Sequence, residues 1–208
     1  MPLQVKGLPH GNITDLQLGG YASLCAVINA SSVWCWGYNG YGELGDGTTT
    51  NRYTPVMVKG LANNITDLAL GYLSGCAIEG TAADGSTGAV KCWGNNGYGQ
   101  LGDGTTTHRY TPVDTGLRNA VMVKVNQYHT KVLTSDGTLY AFGYNGYCQL
   151  GDGTYTTRYS PVDVSLAPQY RVASISLGVA SSHILTGNFA WLPDCMGGML
   201  IRRRQNHA

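Results

Sequence analysis

The chain has 208 residues, of which 12% are charged, with a formal net charge of +1; that is about half the usual charged share. So sparse a pattern excludes the broad basic footprint of a nucleic-acid or membrane-surface binder. No apolar run reaches the roughly 20 residues that a membrane-spanning helix needs. Thirty glycines and fourteen tyrosines point to short strands and tight turns, an all-β chain.

In chain order, the opening MPLQVKG has no apolar signal region, and Pro2 to Leu8 matches Pro55 to Leu61, so the chain begins within a unit. Val5 to Tyr21 (VKGLPHGNITDLQLGGY) matches Val58 to Tyr72 (VKGLANNITDLALGY). Looser copies are VMVKVNQYHTKVL and VASISLGVASSHIL. Each unit then reads alike. A short alternating strand such as Ile65 to Leu70 leads through a Gly-containing turn to a second strand, Cys76-Ala77-Ile78 or Lys131-Val132-Leu133. A hairpin follows, for which Asp136-Gly137 is a strong signal. The third strand ends on an aromatic-glycine pair at Gly37, Gly94 and Gly143, which lie 57 and 49 residues apart. The insertion Glu79 to Ala89 accounts for the longer interval.

After each such glycine comes a nearly identical stretch: LGDGTTTNRYTPV (Leu44 to Val56), LGDGTTTHRYTPV (Leu101 to Val113) and LGDGTYTTRYSPV (Leu150 to Val162). Pro55, Pro112 and Pro161 suit an edge strand, where no ladder donor is required. Units of about 50 residues with some four short strands are the signature of propeller blades. One blade cannot bury both of its faces, so it is stable only beside others.

The stretches VWCWGYNGYGELGDGTTTNRYTPVMV and VKCWGNNGYGQLGDGTTTHRYTPV resemble repeats of the regulator of chromosome condensation (RCC1) family. The resemblance covers about residues 2–185 and implies a β-propeller, seven-bladed in family members. At about 50 residues per blade, this chain supplies roughly three and a half four-stranded blades. The expected units are 1–56, 57–113, 114–162 and an incomplete 163–185, with 186–208 a divergent C-terminal tail. There Phe189-Ala190-Trp191 stands where a third strand belongs, Leu192-Pro193 replaces the glycine, and Arg202-Arg203-Arg204 reads as a solvated end. The whole reads as a partial propeller, a fragment or a product of a truncated or altered frame, and exposed blade faces offer two chains a way to pair as half-propellers.

Six cysteines are present. Cys25 and Cys35 fall on the second and third strands of one unit, and Cys76 and Cys92 on those of the next. The third unit has Lys131 and Ala141 there, so both cysteines are lost together. Joint loss favours cross-strand disulfides over buried free thiols and suits a secreted or cell-surface chain, although no signal peptide is seen. Cys148, where Gly42 and Gly99 stand in the other units, and Cys195 are expected to be unpaired.

Asp46, Asp103 and Asp152 lie in Gly-Asp-Gly-Thr loops, but each is followed by threonines rather than alternate oxygen ligands, so turn capping is expected rather than calcium. No phosphate loop, nucleophile constellation or zinc spacing occurs, and no catalytic residue, metal or cofactor is expected. His129, beside Thr130, reads as structural. Asn12, Asn29 and Asn64 head glycosylation patterns. Tyr38, Tyr41, Tyr98, Tyr144 and Tyr147 recur in the same loop and either line an interaction face or pack on the adjacent blade. The reading is a non-enzymatic protein–protein interaction scaffold for a partner the sequence does not name. The resemblance also implies two alternatives: a nucleotide exchange factor-like regulator of a small GTPase, and a secreted enzyme-inhibitor propeller.

Overall fold

The computed structural model describes residues 5–61, 64–80, 87–164, 172–179, 181–186 and 199–203. They contain no helix and form four separate sheets. The first comprises β1 (Ile13–Leu18), β2 (Ser23–Ile28), β3 (Ser32–Gly37) and β4 (Arg52–Met57); the second, β5 (Ile65–Leu70), β6 (Ser74–Glu79), β7 (Ala89–Gly94) and β8 (Arg109–Asp114). The third holds β9 (Ala120–Val125), β10 (His129–Thr134), β11 (Leu139–Gly143) and β12 (Arg158–Asp163), and the fourth β13 (Val172–Gly178), β14 (Ser181–Thr186) and β15 (Met199–Arg203). The first three are antiparallel meanders in sequence order. β4, β8 and β12, which carry the prolines, are edge strands.

The fourth sheet departs from the pattern. β15, Met199–Arg203, pairs parallel with β14; Phe189-Ala190-Trp191, where a third strand was expected, lie outside the described residues. Arg202 and Arg203 belong to β15, and Arg204 lies outside.

Register shifts and hairpin turns shape the meanders among the described residues. The third and fourth strands shift register at the glycine after the aromatic, Gly37, Gly94 or Gly143, with φ of +111°, +97° and +107°. A Cβ at these places would run into the carbonyl oxygens of Ala22, Leu73 and Tyr128. That steric limit explains why the aromatic-glycine pair recurs. The Asp136-Gly137 hairpin forms as expected: Gly137 has φ +92°, Thr134 N–H donates to the Thr138 carbonyl, and Asp136 accepts from Thr138 N–H. Between β2 and β3, Asn29 and Ala30 both take left-handed conformations, φ +53° and +52°, the geometry of a primed hairpin turn. Asn-Ala is a weak signal for such a turn, and the sequence did not declare it.

The hydrophobic core lies between sheets, not within them. One cluster joins Cys25, Val33, Cys35, Leu44 and Val58 of the first unit to Ile65, Leu68 and Trp93 of the second. A second joins Cys76, Val90, Cys92 and Leu101 to Val123, Val132 and Phe142. A third joins Leu139, Ala141 and Leu150 to Ile175 and Ile184. Each blade therefore offers the face that carries a cysteine pair, or Lys131 and Ala141 in the third blade, to the first strand of the next. Backbone hydrogen bonds cross the same joints: Gly47 N–H to the Tyr110 carbonyl and Gly104 N–H to the Tyr159 carbonyl, both 2.9 Å.

Because burial depends on the neighbour, equivalent residues differ in cost. Leu68 is fully buried against the first blade, whereas the matching Leu16 is 53% exposed. Leu68→Ala is expected to lower unfolding stability by about 2–5 kcal/mol, and Leu16→Ala by about 0.5 kcal/mol or less. Urea titration of both variants checks the contrast.

Candidate functional site

The thirteen-residue stretches form a network that faces inward. Asn39, Asn96 and Asn145 are fully buried. Their Oδ1 atoms accept from the amides of Leu44, Leu101 and Leu150 at 2.9–3.0 Å. Their amide groups donate to Asp46, Asp103 and Asp152 and to the carbonyls of Thr48, Thr105 and Thr154. Each aspartate also accepts from the amide and hydroxyl of the threonine two residues on. Its second oxygen takes the Nε of Arg52, Arg109 or Arg158 at 2.7–2.8 Å. Burial acts to raise these three carboxyls, but donation from threonine and arginine outweighs it and holds each below the usual carboxylate range. With their oxygens committed to amide, hydroxyl and guanidinium donors, the aspartates close the loop and fix where the arginine enters the edge strand.

The residue before the loop leucine, Glu43, Gln100 or Gln149, latches neighbouring blades. Its side chain accepts from the amide of Tyr41, Tyr98 or Tyr147 at 2.7–2.9 Å. Its backbone carbonyl accepts one side-chain donor from the next blade: Trp93 Nε1 at 2.8 Å, Thr130 Oγ1 at 2.8 Å, and Ser182 Oγ at 2.7 Å. Thr130 and Ser182 hold equivalent places. Gly75 stands there in the second blade, and Trp93, its cross-strand partner, reaches over the missing side chain. The Ser182 hydroxyl hydrogen is committed to Gln149, so His129 Nε2, 3.1 Å away, is the donor to Ser182. Burial, with the charge of Lys131 adding, lowers His129 to about 3. It is a neutral structural imidazole at neutral pH.

Cys25 is bonded to Cys35 and Cys76 to Cys92, each pair directly opposite across the second and third strands. At the same register the third blade pairs Lys131 with Ala141. Lys131 is fully buried and donates from Nζ to the Leu150 carbonyl at 2.7 Å. Burial pushes its ammonium down to about 7, against the opposing charge of Asp152. Cys148, expected to be unpaired, is instead disulfide-bonded, a correction. It sits at φ +60° where Gly42 and Gly99 have φ +80° and +74°. A Cβ at those glycines would meet Tyr110 and Tyr159 of the next blade at 2.5 Å, so Cys148 projects toward the place those rings fill elsewhere. Cys195 lies outside the described residues.

The five loop tyrosines do not form one ring. Tyr98, Tyr144 and Tyr147 join Tyr128 in a contiguous patch, with edge-to-face contacts of 5.0–6.1 Å between ring centres. Tyr38 instead packs with Tyr21, which touches Tyr72, and Tyr41 packs on His108. Tyr147 is 61% and Tyr98 44% exposed, while Tyr144 and Tyr128 are half-buried. The loops therefore do both things the sequence allowed: the inner rings pack across a joint and the outer rings remain presented to solvent. A further set, Tyr53, Tyr110 and Tyr159 of the edge strands, went unnoticed although Arg-Tyr-Thr/Ser-Pro-Val repeats three times. Tyr110 and Tyr159 cover the glycines of the preceding blade, and Tyr53 is almost fully exposed. Asn12, Asn29 and Asn64 are exposed, and Asn29 Oδ1 accepts from Asn12 N–H.

The family model for the regulator of chromosome condensation (RCC1) repeat matches residues 31–78, 87–133 and 136–185. The chain belongs to the RCC1-repeat family. The first two RCC1 matches begin on or just before the third strand of one sheet and run into the second strand of the next, so a sequence repeat straddles a blade joint. Probable E3 ubiquitin-protein ligase HERC4 of Homo sapiens is 34% identical over 148 residues, 66% of this chain and 13% of the ligase. Ultraviolet-B receptor UVR8 of Arabidopsis thaliana is 28% identical over 140 residues, 65% of this chain and 30% of the receptor. This chain thus spans less than a third of either relative. Among solved structures, human WBSCR16 superposes with a TM-score of 0.71 at 20% identity, over 85% of this chain and 46% of that one. Yeast RCC1 (Prp20) bound to Kap60 gives 0.71 at 23%, over 84% and 40%. These superpositions establish an RCC1-type propeller fold, here in partial form.

Two outcomes follow from the latch and the disulfide register. Burial raises the Glu43 carboxyl, partly offset by its own and Tyr41 amides. A folded-state value above the unfolded one favours folding at low pH, and that advantage is lost as pH rises through the folded value. Glu43→Gln, matching Gln100 and Gln149, is expected to add about 1 kcal/mol at pH 7, a gain that shrinks as the Glu43 carboxyl becomes protonated at lower pH; thermal melts across pH read it. Lys131→Cys with Ala141→Cys is expected to form a third cross-strand disulfide worth about 2 kcal/mol, seen as loss of two hydrogens by intact mass and absence of new free thiols.

Proposed function

We propose that this chain is a non-enzymatic protein–protein interaction scaffold and that the Tyr98–Tyr128–Tyr144–Tyr147 patch is its contact surface. The observation that carries the reading is that the loop's polar groups are turned inward while its tyrosines are presented outward. Asn96, Asp103 and Arg109, with their counterparts in the flanking units, are committed to loop closure. Tyrosine combines large apolar area with few rotatable bonds and a polar tip, which makes it a frequent anchor in interfaces. Membership of a repeat family whose propellers serve partner binding supports the reading. Yeast Prp20 has been solved with Kap60, and its binding to Gsp1p and histones described. Those partners belong to Prp20.

The test is direct binding of a partner obtained by affinity capture, comparing the wild-type chain with Tyr147→Ser and with Tyr98→Ala/Tyr147→Ser. At least one change is expected to weaken binding about tenfold or more, with the melting temperature held within a few degrees. Equal affinity of the variants would remove the patch as the contact surface. The exchange-factor alternative is read separately, by release of labelled nucleotide from a small GTPase, where no acceleration is expected.

A further inference from the structure

Three glycosylation patterns have no part in the loop network or the tyrosine patch, and the fold treats them unequally. Asn12, Asn64 and Asn119 hold one place, just before the first strand of successive sheets. There each carbonyl accepts the backbone N–H of the residue past the second strand, Asn29, Gly80 or Ser135, at 2.7–2.8 Å. Asn64 and Asn119 are left-handed, with φ of +73° and +57°, a conformation asparagine tolerates better than most residues. The backbone therefore accounts for the asparagine. It does not account for the threonine two residues on. Thr14, Thr66 and Val121 each fall at a register shift that leaves them without a cross-strand partner, and all three are exposed. Thr66 Oγ1 donates to the Ile78 carbonyl at 3.3 Å, yet the third sheet forms with valine in that place. At the second sheet Asn64 and Thr66 are both exposed, and Gly80 stands where the first sheet has Asn29, whose Oδ1 accepts from Asn12 N–H. Asn64 Nδ2 lies 2.5 Å from where a Cβ on Gly80 would stand. Gly80 and Thr66, with Thr87, Asn119 and Ser135, line a groove of about 280 Å³, whose hydroxyl and amide groups suit a sugar ring. Every described cysteine is disulfide-bonded, the state expected of an oxidising, secretory compartment.

We propose that Asn64 is an N-glycosylation site, modified by the oligosaccharide transferase of the secretory pathway. Asn64 Nδ2 forms a bond to the anomeric carbon of a lipid diphosphate-linked oligosaccharide. The bond from that carbon to the diphosphate oxygen breaks, the lipid diphosphate leaves with the electron pair, and the amide loses one proton. The Thr66 hydroxyl marks Asn64 as the acceptor, and the first sugar lies along the groove of Thr87, Asn119 and Ser135. In an antiparallel meander the start of the first strand and the second turn share one end, and the first turn and the third connection share the other. Asn64 stands at the first end of its sheet and Tyr98 at the second, a six-residue strand apart, or about 20 Å. The glycan therefore covers the rim away from the tyrosine loops and leaves those loops open. This site is separate from the tyrosine patch, and the proposal holds or fails independently of that patch's role.

The experiment takes the protein isolated from its own cells and the same chain directed into the secretory pathway of cultured eukaryotic cells by a cleavable signal peptide. Both the lumenal pool and the medium are collected from the cultured cells, so that a retained chain is read as well. Peptide-N-glycosidase followed by mass spectrometry is expected to find Asn64 converted to aspartate in both preparations. In the cultured cells, Thr66→Val and Asn64→Gln are each expected to lower the intact mass by one glycan, and Thr66→Ser to keep it. After deglycosylation, Thr66→Val is expected to melt within a few degrees of the wild-type chain, as the valine of the third sheet implies. An unconverted Asn64 in either preparation would overturn the proposal, as would a glycan that persists on Asn64 in Thr66→Val. Free thiols at Cys76 and Cys92 in the protein from its own cells would overturn it too, by placing the chain outside an oxidising compartment.

Discussion

Every blade in this chain depends on the same constraint: a four-stranded sheet of short strands has two faces and no core of its own. Its apolar side chains become buried only when the next sheet lies on them. The exposure of Leu16 against the burial of Leu68 isolates that effect, because strand and neighbouring sequence are nearly identical. Apolar contact alone is permissive about how two sheets slide. The donor from Trp93, Thr130 or Ser182 to a Glu or Gln carbonyl fixes the offset, since a buried carbonyl without its donor is penalised. The edge-strand carbonyls of Tyr110 and Tyr159, held by loop glycines, add a second point of registry farther out.

The loop network serves the same end. Asn39, Asn96 and Asn145 tie the loop leucine to the threonine carbonyls, so Leu44, Leu101 and Leu150 are held where the neighbouring first strand can reach them. A three-fold repetition of thirteen residues is therefore explained by geometry that every joint shares. Its surplus is the exposed tyrosine edge, which plays no part in closing the loop. Surface left over from a scaffold's own construction is where contact with another protein is added at least structural cost.

The cross-strand disulfides show how one position tolerates unlike chemistries. Cys25–Cys35 and Cys76–Cys92 fill the blade-facing side of two sheets with small apolar sulfur. In the third, Lys131 stands opposite Ala141 at the same register and is accommodated through the Leu150 carbonyl and a lowered pKa. A lysine is thus admitted where a disulfide otherwise sits, so the blade forms without a covalent bond at that register.

Much of this was legible in the chain. Repeat spacing, the aromatic-glycine pair, Asp136-Gly137 and the edge prolines declared strands and turns because each rests on local backbone chemistry. The paired loss of both cysteines at Lys131 and Ala141 marked the second and third strands as neighbours. Other features were not legible for the same reason inverted. Cys148 read as unpaired because a disulfide depends on what the fold brings beside the sulfur, not on flanking residues. The division of the tyrosines into a patch and two smaller contacts arises from how successive blades are offset, which no single unit encodes. Trp93 replacing the hydroxyl of Thr130 and Ser182 was hidden because its partner, Glu43, lies fifty residues away. The sequence by itself determined the unit, its turns and the family, since these are set by steric and hydrogen-bond limits within about fifty residues. Only the tertiary structure decided which faces are buried, which carbonyls are latched and which tyrosines meet solvent, because those depend on a neighbouring sheet being in place.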